Sequence, residues 1–170
     1  MKNVFVFMTK NLGVRLNTLA DAEKLYELIQ HDNSTVVLKD KIESIEDVKK
    51  YIEMSADSDR MKHYPLRYVI TRKADGAFVG HVCYKRNSER TIQLIITIGD
   101  EFRGNGYAGE VLEAAVKYGK ENLKLPQIYC IVLKNNNAAK HIMEKQGFTL
   151  VEEYEAEWQG CNTTFERYRI

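Results

Sequence analysis

Residues 103–109 read RGNGYAG, and the run just before them, residues 91–98, reads TIQLIITI. The apolar, β-branched run predicts a central strand that is covered on both faces. A helix is expected to follow the loop and to end at about Asn122. Its buried side is predicted to consist of Val111, Leu112, Ala115 and Val116. The glycine loop would then join a buried strand to a helix N-terminus, where free backbone N–H groups and the helix dipole favour an anion.

The spacing of Gly104, Gly106 and Gly109 also fits the dinucleotide fingerprint G-x-G-x-x-G. That fingerprint follows the first strand of a doubly wound sheet, whereas several strand-like segments precede the loop here. It also requires an acidic residue about 20 positions on, where this chain has the apolar strand residues 129–131. Dinucleotide binding is therefore disfavoured. The open alternatives are a different phosphate cradle and a plain strand-to-helix turn with an exposed Arg103.

The remaining patterns predict a mixed, mostly antiparallel sheet. Thr18 with Asp21, and Ser44 with Asp47, have the spacing of capping boxes, each before a helical apolar stripe. The predicted strands are 14–16, 67–71, 77–84, 91–98, 127–133, 151–158 and 163–170, and a short helix is predicted at 137–145. This β-α-α-β-β-β-α-β-α-β-β order indicates an α+β fold. Since no linker or repeat interrupts it, we expect one domain over residues 1–170.

Composition excludes several classes of function. The 170 residues carry 25 Lys and Arg against 24 Asp and Glu, a net charge of +1, so we expect no nucleic acid or membrane partner. The apolar run at residues 4–8 is too short for the core of a signal peptide. Cys83, Cys130 and Cys161 are widely separated, which favours a reducing cytoplasm and buried, non-catalytic thiols in the two strand-like runs. We expect no metal.

Residues 103–108, RGNGYA, match [Q/R]-x-x-G-x-[G/A], the motif with which GNAT acetyltransferases grip the pyrophosphate of acetyl-CoA. Residues 136–139, NNAA, and 144–148, EKQGF, are similar to the family's second motif, an Asn-containing helix that ends in Gly-Phe. Residues 8–29 resemble the opening of the branch that includes ribosomal-protein N-terminal acetyltransferases. The resemblance covers nearly the whole chain, and it implies a GNAT-like sheet with helices on both faces and a splayed central strand pair.

The resemblance also implies which residues bind acetyl-CoA. This set is Ile98, through its backbone, with Arg103, Gly104, Asn105, Gly106, Tyr107, Ala108 and Asn136. Asn136 is equally suited to cap the following helix, and the two roles can coexist. The implied reaction is direct attack of an amine, from a protein N-terminus or a small molecule, on the thioester. The alternative is a catalytically idle acyl-CoA-binding module, and a homodimer is left open.

The family's acid–base residues do not carry over to this chain. Met143 stands where many relatives have Tyr, and Ile131 and Gln93 stand where others have Glu. The remaining local candidates are His81, Tyr84 and Glu89. Each of them is expected to be structural rather than catalytic. Catalysis is therefore expected to depend mostly on proximity and water.

Glu153, Glu155 and Glu157 alternate with larger residues near the C-terminus, which predicts one acidic strand face. Such a face could receive a cationic amine. The favoured interpretation is cross-strand pairing with Arg167 and Arg169 of the same hairpin.

Overall fold

A computed structural model describes residues 4–31, 42–55, 65–86 and 91–170. Within these ranges the strands are β1 (Phe5–Met8), β2 (Leu12–Leu16), β3 (Leu66–Arg72), β4 (Phe78–Arg86), β5 (Ile92–Ile98), β6 (Ile128–Leu133), β7 (Thr149–Trp158) and β8 (Cys161–Arg169). The helices are α1 (Ala22–His31), α2 (Ile45–Ser55), α3 (Tyr107–Glu121) and α4 (Asn137–Lys145). The α+β prediction is confirmed. β1 is an additional strand, formed by the short apolar run near the N-terminus.

The described strands form a single sheet in the order β1-β2-β3-β4-β5-β6-β8-β7. Only β5 and β6 are parallel, and their ladder contains just two residue pairs, Ile92 with Ile128 and Gln93 with Tyr129. Beyond Gln93 the two strands are no longer paired with each other. The splayed strand pair is therefore confirmed, and it opens a fork in the middle of the sheet.

Helices cover both faces of the sheet, as expected. On one face α3 and α4 pack against β4, β5 and β6, with Val111 and Met143 among the buried side chains. On the other face α1 and α2 cover the sheet, and Leu25 of α1 and Val48 of α2 share a buried apolar cluster with Ile95 of β5. Alternation along β5 thus places successive side chains in two separate apolar layers. No helix among the described residues has the length and apolar character needed to cross a membrane.

Both predicted capping boxes form. Asp21 Oδ2 accepts hydrogen bonds from the backbone N–H of Thr18 at 2.8 Å and from its hydroxyl at 2.7 Å. Asp47 Oδ2 accepts in the same way from Ser44, at 3.0 Å and 2.8 Å. The first box caps the 3₁₀ helix Leu19–Asp21, which leads directly into α1, and the second precedes α2.

Candidate active site

The glycine loop has the backbone that an anion cradle needs. Gly104 and Gly106 have φ values of 77° and 75°, a left-handed conformation that side chains with a Cβ disfavour. A Cβ added at either glycine would meet no atom within 4 Å, so both point toward open space. α3 begins directly afterwards, at Tyr107, and the first N–H groups of a helix have no partner within it. The loop therefore presents backbone N–H donors and the positive end of a helix dipole to an approaching phosphate.

Asn105 stabilises this loop from within. Its Nδ2 donates to the carbonyl oxygens of Phe102 and Arg103, at 2.9 Å and 3.2 Å. These bonds close the short 3₁₀ helix Asp100–Phe102 onto the turn that follows. Asn105 is not among the residues that line the adjoining cleft, whereas its neighbours Gly104 and Gly106 are.

The fork between β5 and β6 opens into a cleft of about 500 Å³. β5 and β6 form its walls, and the N-terminal ends of α3 and α4 close its outer side. Seven of the eight expected cofactor residues line it, namely Ile98, Arg103, Gly104, Gly106, Tyr107, Ala108 and Asn136. The structure therefore brings together two motifs that are about 30 residues apart in the sequence, because β5 and β6 are adjacent and parallel.

The two halves of the cleft differ in polarity. Apolar side chains from the strands form the inner part, and they include Leu94, Ile96 and Val132. Polar groups of the glycine loop form the outer part, near Arg103. This arrangement suits a long ligand that is apolar at one end and anionic at the other.

Asn136 has the capping role that the sequence left open. Its Oδ1 accepts the backbone N–H of Ala139 at 3.1 Å, at the start of α4. Because Asn136 also lines the cleft, capping does not remove it from reach of a ligand.

Arg72 braces the glycine loop from outside the cleft, and the sequence motifs gave no signal for it. Its guanidinium bonds Asp75 at 3.0 Å and 2.6 Å, and its Cζ lies 5.2 Å from the centre of the Phe102 ring. Hydrogen bonds to Asp75 and to the Tyr107 side chain raise the pKa of Arg72 above its usual value. Since Phe102 and Tyr107 flank the loop, the β3–β4 hairpin helps to hold the loop in place.

His81 and Tyr84 lie in the core, and neither is among the residues that line the cleft. His81 is fully buried and neither ring nitrogen has a hydrogen-bond partner. Burial, together with the nearby charge of Arg67, lowers the pKa of His81 to about 3. The Tyr84 hydroxyl donates to the carbonyl oxygen of Ala115 at 2.6 Å, which ties β4 to α3. Glu89, the third candidate, lies outside the described residues.

No His, Asp or Glu is among the described residues that line the cleft. Cys130 lines it, but burial raises the pKa of this thiol to about 12, so it stays protonated at neutral pH. Met143 and Gln93 also line it, and these are the positions at which related acetyltransferases have Tyr and Glu. Among the described residues, no cluster of three or more His, Cys, Asp and Glu side chains could hold a metal ion.

The prediction that the acidic strand face pairs with Arg167 and Arg169 is wrong. Arg167 pairs with Glu152, at 2.7 Å, because the register of β7 shifts between Leu150 and Glu152 and brings Glu152 opposite Arg167. Glu153 instead bonds Lys134 at the end of β6, at 2.8 Å. The predicted acidic face is thus engaged partly by a lysine of another strand.

Comparison with known proteins agrees with this geometry. The family model described as the acetyltransferase (GNAT) domain matches residues 11–149. The spermidine N(1)-acetyltransferase of Escherichia coli K12 is 29% identical over 140 residues, which span 81% of this chain and 74% of that protein. An uncharacterized N-acetyltransferase of Bacillus subtilis, YnaD, is 26% identical over 140 residues, which span 82% and 79%.

Solved structures share the fold. RimL, a ribosomal L7/L12 α-N-protein acetyltransferase in complex with coenzyme A, has a TM-score of 0.79 at 15% identity and covers 98% of this chain and 97% of its own. A spermidine N-acetyltransferase SpeG variant from Vibrio cholerae also has a TM-score of 0.79, at 22% identity, with 94% and 93% covered. At these identities the likeness concerns the fold alone.

Proposed function

The chain belongs to the GNAT acetyltransferase family, and we propose that it transfers the acetyl group of acetyl-CoA to a primary amine in the cleft between β5 and β6. The observation that carries the proposal is the glycine loop at the mouth of that cleft. Its two left-handed glycines, open to solvent, and the start of α3 fit a pyrophosphate. Arg103 adds a positive charge at the same place.

The walls of the cleft fit the rest of the cofactor. Since β5 pairs with β6 over only two residues, the β5 backbone groups that point toward β6 beyond Gln93 have no ladder partner there. An extended ligand with amide groups can bond to such a strand edge as an added strand would. We therefore assign the backbone near Ile98 to the pantetheine arm, and the loop from Arg103 to Ala108 to the phosphates.

The reaction needs little acid–base help from side chains. Acetyl-CoA supplies a thioester that is open to attack by a neutral amine. Holding both reactants close together in the cleft can lower the barrier by several kcal/mol. His81 is not placed to accept the proton of the amine, because it is fully buried and is not among the residues that line the cleft. We assign to water the removal of the extra proton of the ammonium form. After the neutral amine attacks, the C–S bond breaks, and the second proton lost by nitrogen neutralises the departing thiolate.

The acceptor is a primary amine of a small molecule or of a protein N-terminus. Support for both comes from relatives, since one is named for spermidine and another for a ribosomal protein. Our proposal includes one catalytic domain over residues 1–170 and action in the cytoplasm, in keeping with three free, separated cysteines.

The lack of any His, Asp or Glu on the described cleft walls favours one second candidate, a catalytically idle acyl-CoA-binding module. Release of free thiol from acetyl-CoA separates the two. The amine panel should contain spermidine, a free lysine-like alkylamine and peptides with unblocked N-termini. Thiol release that depends on one of these amines supports the transferase. Tight binding of acetyl-CoA without release by any amine supports the module.

A further inference from the structure

Glu166 is a buried carboxylate that the proposed reaction does not use. It lies on β8, only 4% exposed. Its Oε1 is 3.2 Å from Lys140 Nζ, and its Oε2 accepts the Tyr168 hydroxyl at 3.0 Å. Burial, and the hydrogen bond to Glu166, raise the pKa of Tyr168 to about 12, so this hydroxyl remains a donor.

Lys140 extends the network to the end of β6. Its Nζ also donates to the carbonyl oxygen of Lys134 at 3.1 Å, just after β6 ends. Lys140 belongs to the first turns of α4, and its backbone N–H donates to the carbonyl of Asn136. The network formed by Glu166, Lys140 and Tyr168 therefore joins β8, the end of β6 and the start of α4.

The joined elements form one wall of the cleft. Val132 is the cross-strand partner of Glu166, and it lines the cleft. Asn136 and Ala139 line the same wall from the start of α4. Neither Glu166 nor Lys140 is among the lining residues, so any effect of theirs on a ligand acts through these neighbours.

Stability alone does not explain the network. Burying the Glu166 carboxylate and half-burying the Lys140 ammonium costs free energy that their mutual attraction barely offsets, and apolar residues of similar volume are often at least as stable. An ion pair differs from an apolar contact because it fixes distance and direction. We propose that Glu166, with Lys140 and Tyr168, is a positioning residue that fixes α4 and the end of β6 and so sets the acetyl-CoA-binding geometry of this wall. The inference rests on the proposed function, which takes the cleft as the acetyl-CoA site.

The test compares the native protein with a variant that keeps the packing but lacks the polar network. The triple variant Lys140→Leu, Glu166→Leu, Tyr168→Phe fills the same space with apolar groups. We expect its Tm to equal or exceed that of the native protein, while its KM for acetyl-CoA rises about tenfold through misplacement of the wall. The KM for the amine should not change. Glu166→Gln alone should also raise the KM for acetyl-CoA. This single variant tests the proposal if the triple variant does not fold.

Two controls separate positioning from a general effect. Lys140→Arg, made in the native protein, keeps the charge and the donors and should leave the KM for acetyl-CoA near its native value. Glu153→Gln removes the exposed partner of Lys134, opposite Glu166 on the neighbouring strand, and should change nothing. Native acetyl-CoA affinity in the triple variant or in Glu166→Gln would overturn the positioning role alone. If the native protein itself binds no CoA in calorimetry, the proposed function is wrong and this inference with it.

Discussion

Asp100 Oδ1 lies 3.0 Å from Nη2 of Arg103, so an exposed carboxylate holds the guanidinium at the mouth of the cleft. The same arginine donates from Nε to the carbonyl oxygen of Ile98 at 3.4 Å. A phosphate must compete with Asp100 for this cation. Asp100→Asn should therefore strengthen CoA binding a few-fold, and more at low salt than at high salt, because the lost charge is exposed to solvent. Isothermal titration at two salt concentrations measures both effects.

A double-mutant cycle checks the cause of that gain. Arg103→Ala should weaken CoA binding about tenfold, as expected for loss of a hydrogen bond to a charged group. When Arg103 is already Ala, Asp100→Asn should strengthen CoA binding less, because the guanidinium that it would release from Asp100 is absent. Equal gains in both backgrounds would mean that Asp100 acts by general repulsion.

Gly106 and Gly109 form a matched pair for testing the loop. Gly106 has a φ of 75°, so Gly106→Ala should cost about 1 kcal/mol of stability and weaken CoA binding about tenfold by turning the backbone N–H groups away. Gly109 lies in the first turns of α3, and an added Cβ would lie 3.5 Å from Ile142 Cγ2, an ordinary contact. Gly109→Ala should stabilise the protein by about 0.5 kcal/mol and leave CoA binding unchanged.

Denaturant melts and CoA titrations on both glycine variants provide the measurements. Normal binding by Gly106→Ala would remove the glycine loop from the phosphate site. A loss of binding in Gly109→Ala would restore the literal G-x-G-x-x-G motif as the functional unit.

His81 should make the protein sensitive to acid. In the unfolded chain this imidazole takes up a proton below about pH 6.5, its ordinary value, whereas in the folded protein it stays neutral down to about pH 3. The unfolded state then binds more protons between these limits, so the free energy of unfolding falls as the pH drops through this window. The contribution of His81 to the slope approaches about 1.4 kcal/mol per pH unit.

His81→Leu isolates this effect, because carboxylates with lowered pKa values, such as Asp21, contribute to the acid slope in both proteins. Denaturant melts from pH 7 to pH 4.5 should show a shallower loss of stability in the variant. Parallel curves would show that His81 titrates normally when folded. Near pH 7 the variant should keep its transferase activity, since His81 is not among the residues that line the cleft.

The pH dependence of the rate should follow the acceptor and not the enzyme. Because no His, Asp or Glu is among the described cleft residues, kcat/KM for the amine should rise with pH until the amine is neutral. The inflection should lie near pH 8 for a peptide α-amine and near pH 10 for a lysine-like amine. An inflection at the same pH for both acceptors would reveal a base on the enzyme.

Local patterns were enough to predict most of the fold. The sequence patterns predicted every described α-helix and strand except β1, but not the 3₁₀ helices at Leu19–Asp21 and Asp100–Phe102. The spacing of Ser44 and Asp47 predicted a cap that the structure contains. These features depend on neighbours in the sequence, which is why they could be predicted. β1 is four residues long, and its pairing with β2 is a tertiary feature that so short an apolar run does not specify.

Parts of the site that depend on local backbone conformation could be predicted from the sequence. Parts that depend on strand register or on contacts between distant segments could not. The glycine loop and Asn136 carry their signal in the sequence itself. The pairing of Arg167 with Glu152 follows from a register shift within β7, and that shift has no local signal. Arg72 and Glu166 act through contacts with distant segments, so only the assembled sheet reveals them.

A crystal structure of the protein with CoA tests the central claim most directly. The pyrophosphate oxygens should lie within hydrogen-bond distance of backbone N–H groups between Gly104 and Ala108, with the pantetheine arm along β5 toward Ile98. The Arg103 side chain should have left Asp100 for a phosphate. CoA bound away from the β5–β6 fork, or with its phosphates elsewhere than on this loop, would contradict the account.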